Sequence, residues 1–428
     1  MDLRSGQSLW LNLGHECLFR PSLQQSIQCD VLIVGSGITG GLLAYHLAER
    51  GLNVVVVDRR PIAAGSTPAS TALLQYDIDT PLVKLRKKLG REHADAAYKR
   101  SREAVSDIAA LVKRLGCDCD LAQRCSLFLA KSEKDVRLLK AEYQARHEIG
   151  LEVEYLDRES LFSRFAIKRP AAILSRVAFQ LDPWRFTKQL LIAAERLGTR
   201  IFSRTTLVPV PGEHLLSRSE EGHRIDAKHV IWATGYETPE QFPEIKDLCE
   251  LNSTYVLATS PIPANRLWPE KALIWETGDP YLYARTTPQG QVIIGGKDEP
   301  FQNPKKRDAL IPSKTLQLVR AFKRIYAIGK IEVETAWAGT FAQTKDGLPY
   351  IGQMSAYPHC YFALGYGGNG ITFSLLAAQI IRDDILQCYN SADELFSFNR
   401  VLLALNAGAP RDSTVYRTET AAMGPRQG

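Results

Sequence analysis

None of the eight cysteines, Cys17, Cys29, Cys117, Cys119, Cys125, Cys249, Cys360 and Cys388, stands in a paired CxxC spacing. Several of them fall in segments that read as core strands or helices, so reduced thiols and a cytoplasmic setting are expected instead of a disulfide framework. No apolar run approaches the length of a bilayer span; Phe373–Ile381 is short and amphipathic. Residues 1–28 lack a basic start followed by an apolar core, so no secretory signal is expected. The eight histidines form no ligand-like cluster and Cys117-Asp118-Cys119 has no partners at zinc spacing, so no metal site is expected. No serine or cysteine lies in a nucleophile motif, and no segment repeats. Charge of one sign is also scarce: 53 basic against 47 acidic residues leave a net +6. Apart from Lys84–Arg91 and Lys99–Arg102 the basic residues are scattered among acidic ones, which excludes the stripe of a nucleic-acid surface. An anionic substrate or cofactor accommodates such mild basicity.

What is present is ordinary globular composition over 428 residues, 45% hydrophobic and 23% charged, enough for two or three domains at roughly 100–200 residues each. The densest signal begins at Cys29. Val31-Leu32-Ile33-Val34 reads as a buried parallel strand. It runs into Gly35-Ser36-Gly37-Ile38-Thr39-Gly40, then into a helix with Leu43, Ala44, Leu47 and Ala48 at helical spacing and Gly51 at its end. A second apolar strand, Asn53–Val57, closes on Asp58. Gly35 permits the tight turn, Gly37 admits a pyrophosphate to the backbone, and Gly40 lets helix and strand pack closely. The helix start at Ile38 and Thr39 offers unpaired N–H groups to phosphate. Asp58 stands where an acid hydrogen-bonds ribose hydroxyls. The pattern predicts dinucleotide binding, and the acid fits FAD or NAD alike.

Later segments favour FAD. Ser66, Thr67, Ser70 and Thr71 form a hydroxyl-rich loop suited to a second face of a pyrophosphate. Asp182-Pro183 opens a helix with an N-cap acid and proline at its first position. A strand at Arg200–Ser203 leads to Thr206-Leu207-Val208, and His229–Trp232 reads as a strand ending in Ala233-Thr234-Gly235. Trp337-Ala338-Gly339, Asp346-Gly347-Leu348-Pro349-Tyr350-Ile351-Gly352 and Gly365-Tyr366-Gly367-Gly368-Asn369-Gly370-Ile371 follow. In this order, over about residues 25–400, the motifs resemble those of the FAD-dependent D-amino-acid oxidase superfamily, which includes glycine and sarcosine oxidases.

The resemblance implies an α/β fold: a Rossmann-like FAD-binding domain of the glutathione-reductase type with an inserted α+β substrate domain on a mostly antiparallel sheet. The expected division is residues 25–80, 160–236 and 336–400 for the FAD domain and 81–159 with 237–335 for the substrate domain. Residues 1–24 read as a loosely ordered extension and 408–428 as a flexible tail. The resemblance adds Arg59, Val208, Ala233, Gly235 and Gly339 to the cofactor contacts. It also directs the backbone of Gly367, Gly368, Asn369, Gly370, Ile371 and Thr372 toward the flavin's pyrimidine edge, where a positive helix end stabilises reduced flavin. No second GxGxxG follows a strand, so no NAD(P)H domain is expected. Some relatives bind FAD through a cysteine upstream of the segment matching Asp346–Gly352; Trp337–Lys345 contains none, so FAD is expected to be noncovalent.

Strand-like pieces at Ser253–Thr259, Ala272–Trp275, Tyr281–Thr286, Gln291–Gly296 and Lys330–Thr335 supply the substrate sheet, and an amphipathic helical stretch from about Pro81 to Gly116 lies beside it. Alternation puts Tyr281, Tyr283 and Arg285 on one face and Ile293, Gly295 and Lys297 on another. Arg285 and Tyr283 resemble family positions that hold a substrate carboxylate. Lys297 reads as a substrate ligand, an aid to oxygen, or a solvated strand end. Gln75 and Tyr76 are further pocket candidates. Sarcosine-oxidase relatives carry a flavin-side lysine where apolar Ile293 aligns here, which leaves oxygen or another acceptor open. The implied activity is oxidation of a C–N bond in a small amine or amino acid, by hydride transfer to flavin and hydrolysis of the imine. The alternatives are a flavin-dependent 2-hydroxyacid or polyol dehydrogenase that uses a quinone or protein acceptor, and a non-catalytic partner subunit. Substrate identity and oligomeric state are not readable.

Overall fold

The computed structural model describes residues 2–12, 18–210 and 212–400; the expected tail at 408–428 lies outside them. The strand Ile27–Val34 pairs in parallel with Val54–Val57 on one side and Arg224–Trp232 on the other. Arg200–Phe202 and Tyr357–Leu364 extend this parallel core, and Tyr350–Met354 closes one edge antiparallel. With the strands Leu207–Val210 and Glu213–Ser219 the sheet counts eight strands. Both faces are covered, as an all-apolar parallel strand requires. Val31 and Ile33 pack with the helices Ile38–Ala48, Pro183–Arg196 and Gly370–Ile385. Leu32 and Val34 pack on the opposite side, with Trp232, Phe242 and Phe362. Asp182 caps its helix by accepting from the backbone N–H of Trp184 and Arg185 at 2.9 and 3.0 Å.

The second sheet has ten strands. Its centre is the antiparallel run Val333–Thr344, Cys249–Thr259, Val292–Glu299, Leu282–Thr286 and Leu273–Glu276. It continues through Ala122–Leu129 to Ala171–Gln180 and Leu73–Gln75. The segments 73–75, 171–180 and much of 333–344, expected in the nucleotide-binding half, therefore hydrogen-bond in this larger sheet. The helical stretch near 81–116 is two helices, Leu82–Leu89 and Arg91–Leu115, broken at Gly90. Ala104, Val105, Ile108, Leu111 and Val112 give the longer one its buried face.

Within the expected N-terminal extension, residues from 2–12 join the fold. Arg4–Gly6 forms an edge strand in register with Trp337–Gly339, and Leu9 and Trp10 are buried in the main core. Trp10 donates its indole N–H to the Ser70 carbonyl at 2.7 Å. Among the described residues no helix is long and apolar enough to cross a membrane, and no group of three or more His, Cys, Asp or Glu side chains could hold a metal ion.

Candidate active site

The turn after Ile27–Val34 is built by three glycines with different tasks. Gly35 holds a backbone φ of +112°, and a Cβ there would stand 2.5 Å from the Ala233 carbonyl oxygen. A Cβ on Gly40 would stand 1.9 Å from the Gly35 carbonyl oxygen. Gly40 thus sets the close seat of helix on strand and does not itself line the cavity. At Gly37 the only near atom is Thr67 Oγ1, at 3.2 Å, and no side chain caps the helix that follows. Apart from that of Ile38, its first-turn N–H groups therefore face a space that a phosphate group suits. Thr67 Oγ1 accepts from the Ile38 N–H at 3.1 Å, which brings the hydroxyl loop against the helix start. Asp58 accepts from the backbone N–H and hydroxyl of Ser36, both at 2.7 Å, and from the Arg60 N–H at 2.8 Å. Burial nonetheless raises its pKa above the usual carboxylate range, because those donors offset only part of the lost hydration.

From this turn one cavity runs to the second sheet, with about 2080 Å³ of empty space including its open mouth. Gly35, Gly37, Ile38, Thr39 and Asp58 line one end together with Arg59, Ala233 and Gly235. Ser66, Thr67, Ser70 and Thr71 form the next stretch of wall, and Gly339 faces it, its Cα so near Ala69 that a Cβ would come within 3.1 Å of that methyl. Val208 is an exception: it is 39% exposed and the buried Leu207 lines the cavity instead. Strand alternation reverses the two side chains.

Gly367 to Thr372 complete the wall. Three of their amides are already engaged: Gly367 N–H with the Ala342 carbonyl, Gly368 N–H with Asp79 Oδ2 at 2.6 Å, and Asn369 N–H with the Tyr366 carbonyl. The Asn369 side chain donates to the Asp77 carbonyl at 2.6 Å and does not cap the helix Gly370–Ile385. The amides left facing the cavity are therefore those of Gly370, Ile371 and Thr372 in the first helical turn. The Asp346–Gly352 segment does not line the cavity. Asp346 is a latch, accepting from Arg400 Nε and Nη2 at 2.8 and 3.0 Å.

The far end of the cavity lies on the second sheet. Trp275, Tyr281 and Tyr283 wall it, with ring centroids 6.1 Å apart for Trp275 and Tyr281 and 5.8 Å for Tyr281 and Tyr283. Tyr283 lies flat over Gly295, where any Cβ would meet its ring at 2.2 Å. Tyr281 donates its hydroxyl to Asp79 Oδ1 at 3.0 Å. Gln75 lines the cavity and accepts from the Ser126 hydroxyl; Tyr76 is buried behind it, with the Arg146 guanidinium 5.8 Å from its ring centroid.

Two of the expected substrate residues stand elsewhere. Arg285 keeps the face shared with Tyr281 and Tyr283 but lies beyond the cavity's end. Its guanidinium sits 5.0 Å from the Trp10 ring centroid and donates to the Leu181 carbonyl at 3.0 Å. Burial depresses its pKa to about 9, with nearby Asp182 only partly countering the lost hydration. Lys297 does not line the cavity either. It adopts a left-handed φ of +62° after Gly296, and the ladder to Cys249–Thr259 slips there by a residue. This bulge ends the alternation and turns the next side chain, Asp298, into the cavity. Ile293 is in the core with Val256 and Trp337. Asp298, Asp79 and Trp275 are thus among the site residues missed from sequence; the Gly295-Gly296 pair inside a strand was the signal for the first.

Asp298 Oδ1 is buried with no hydrogen-bond partner. Its pKa is pushed up to about 7, chiefly by burial and further by Asp79 and Asp279, against the Thr254 hydrogen bond and Lys314. Asp79 is also raised, again chiefly by burial, although Gly368 and Tyr281 hydrogen-bond it.

A long cavity with an uncapped helix start at each of two positions, and open backbone at Gly37, fits a dinucleotide with a flavin at its inner end. Among the described residues no cysteine lines it. The chain matches the model of a family described as FAD dependent oxidoreductase over residues 30–383. It is 25% identical to the gamma-glutamylputrescine oxidoreductase of Escherichia coli over 85% of this chain and 84% of that one. It is 24% identical to the glycine oxidase of Bacillus subtilis over 86% of this chain and 96% of that one. The solved glycine oxidase of Geobacillus kaustophilus superposes with a TM-score of 0.71 at 20% identity, covering 86% of this chain and 98% of that one.

Proposed function

The chain belongs to the family of FAD-dependent oxidoreductases, and we propose that within it the protein oxidises a C–N bond of a small amine or amino acid to an imine that water hydrolyses. One observation carries this reading: a single cavity joins the Gly35–Gly37 turn to the Trp275, Tyr281 and Tyr283 wall. A bound cofactor and a small substrate then share one continuous space. Relatives named for glycine and for gamma-glutamylputrescine, both nitrogen compounds, support the choice of bond.

FAD, when bound, supplies the two-electron acceptor for such an oxidation. The residues that would hold it are the Gly37–Thr39 backbone and Thr67 at its phosphates, Asp58 at its ribose, and the Gly370–Thr372 amides at its flavin end. The chain's own work at the far end is positioning. Tyr283, immobilised over Gly295, and Tyr281, held by Asp79, fix the walls between which a small molecule lies. Arg285 is bonded to Leu181 and does not line the cavity, which supports leaving it out of the substrate contacts.

The test is to add pooled amines and amino acids, and separately pooled hydroxyacids, to the flavin-loaded protein without oxygen while its visible flavin band is followed. Bleaching by the nitrogen compounds is expected; bleaching by hydroxyacids alone would refute the assignment. Readmitting air then shows whether oxygen serves as acceptor. Among the described residues lining the cavity there is no lysine.

A further inference from the structure

The charges at the substrate end share one sign. The cations that line the cavity among the described residues are Arg59 and Arg60, and both pair with Glu237 at the nucleotide end, Arg60 at 2.7 Å to each carboxylate oxygen. Beyond the Gly367–Thr372 wall the ionisable groups include Asp79 and Asp298 with the phenols of Tyr281 and Tyr283, and the Tyr236 phenol lies near Asp79. The guanidinium that a substrate carboxylate would need is Arg285, which is outside. The geometry points to a positively charged amine without a neighbouring carboxylate as the substrate class, its ammonium held by Asp298 between the rings of Trp275, Tyr281 and Tyr283. This rests on the C–N oxidation proposed above and narrows its substrate.

Two independent features favour a cation. Asp298 Oδ1 is a buried acceptor with no donor among the described residues, whereas Asp79 has both oxygens engaged, by Gly368 N–H and the Tyr281 hydroxyl. An unsatisfied buried acceptor is costly, and an N–H donor from a ligand removes that cost. The second feature is the aromatic wall: ring faces attract cations, and most strongly where water is excluded. An α-carboxylate placed in the same space would meet two acids and no cationic donor.

The experiment uses two near-isosteric probes that cannot be oxidised at the carbon bearing the charged group: tert-butylammonium and pivalate. Each is titrated into the FAD-loaded protein at pH 8 while the visible flavin spectrum is followed. Tert-butylammonium is expected to perturb the spectrum saturably and pivalate is not. Asp298→Asn should weaken the ammonium about 10- to 100-fold, the loss of one charge-assisted hydrogen bond, with flavin content unchanged, and Asp298→Glu should recover part of the affinity. Saturable binding of pivalate, or ammonium binding indifferent to Asp298→Asn, would overturn the inference. Should the substituted proteins fail to fold, the probe pair on the native chain decides alone. The two readings fail separately. Flavin bleaching by α-amino acids together with pivalate binding overturns the cationic substrate and keeps C–N oxidation; bleaching by hydroxyacids alone overturns the oxidation itself.

Discussion

Two adjacent glycines, Gly40 and Gly41, should respond oppositely to the same added methyl. A Cβ at Gly40 would lie 1.9 Å from the Gly35 carbonyl oxygen and 3.0 Å from its carbon, while ordinary contact begins near 3.4 Å. The overlap is about 1.5 Å, and the obstacle is backbone in the turn itself, so no rotamer change relieves it. Overpacking costs about 1–3 kcal/mol, and a rigid backbone obstacle belongs at the upper end. Gly40→Ala must therefore lift the helix Ile38–Ala48 from its strand and move the amides at Gly37–Thr39. At Gly41 the added carbon would meet Leu190 Cβ and the Thr187 carbonyl at 3.5 Å, an ordinary contact, and alanine inside a helix gains roughly 0.5–1 kcal/mol over glycine. Thermal unfolding and flavin-to-protein ratio should be read together. Gly40→Ala should lose about 3 °C in Tm and most of its FAD, and Gly41→Ala should match or exceed the native chain in both. Native flavin content and Tm in Gly40→Ala, or equal damage in the two variants, would refute this account of the turn.

Arg285→Ala should leave KM for substrate within about twofold while lowering stability by about 2–3 kcal/mol, the sum of a hydrogen bond to Leu181 and the stacking on Trp10; steady-state kinetics beside denaturant unfolding checks it. The affinity for tert-butylammonium should depend on pH with a midpoint near Asp298's raised pKa of about 7. A raised carboxylate is neutral below that value and charged above it, so binding should plateau above and weaken by up to about tenfold per pH unit below. Asp79, Asp279, Thr254 and Lys314 also act on that group, so Asp298→Asn, which removes the midpoint, is the control. With no cysteine on the cavity wall among the described residues, acid precipitation should release all the FAD to the supernatant, measured by its absorbance there.

The nucleotide-binding turn was legible because its parts are local: strand, glycines, helix and acid follow one another from Val31 to Asp58, and each spacing has one geometric use. The Asp182-Pro183 cap was legible for the same reason. At the substrate end, alternation named the correct sheet face for Tyr281, Tyr283 and Arg285 but could not say where along the strand the cavity stops. Arg285 lies past that limit, its guanidinium 5.0 Å from the ring of Trp10, a residue of the segment that sequence alone reads as a loose extension. Period-two counting along that strand points to Lys297 and passes Asp298 by, because it runs through a bulge without registering it. Asp79 escaped notice because its partners, Tyr281 and Gly368, stand far along the chain. The helix Pro304–Lys323 carries Pro312 in its interior, against the usual rule, and that region stayed unread.

The central claim is that nitrogen leaves the oxidised carbon. An open-chain amine or amino acid that bleaches the flavin should be mixed without oxygen with excess protein, and the released nitrogen compound and carbonyl product counted against flavin reduced. The account predicts one amine or ammonia and one carbonyl for each flavin. Flavin reduced in full with no nitrogen compound released would contradict it.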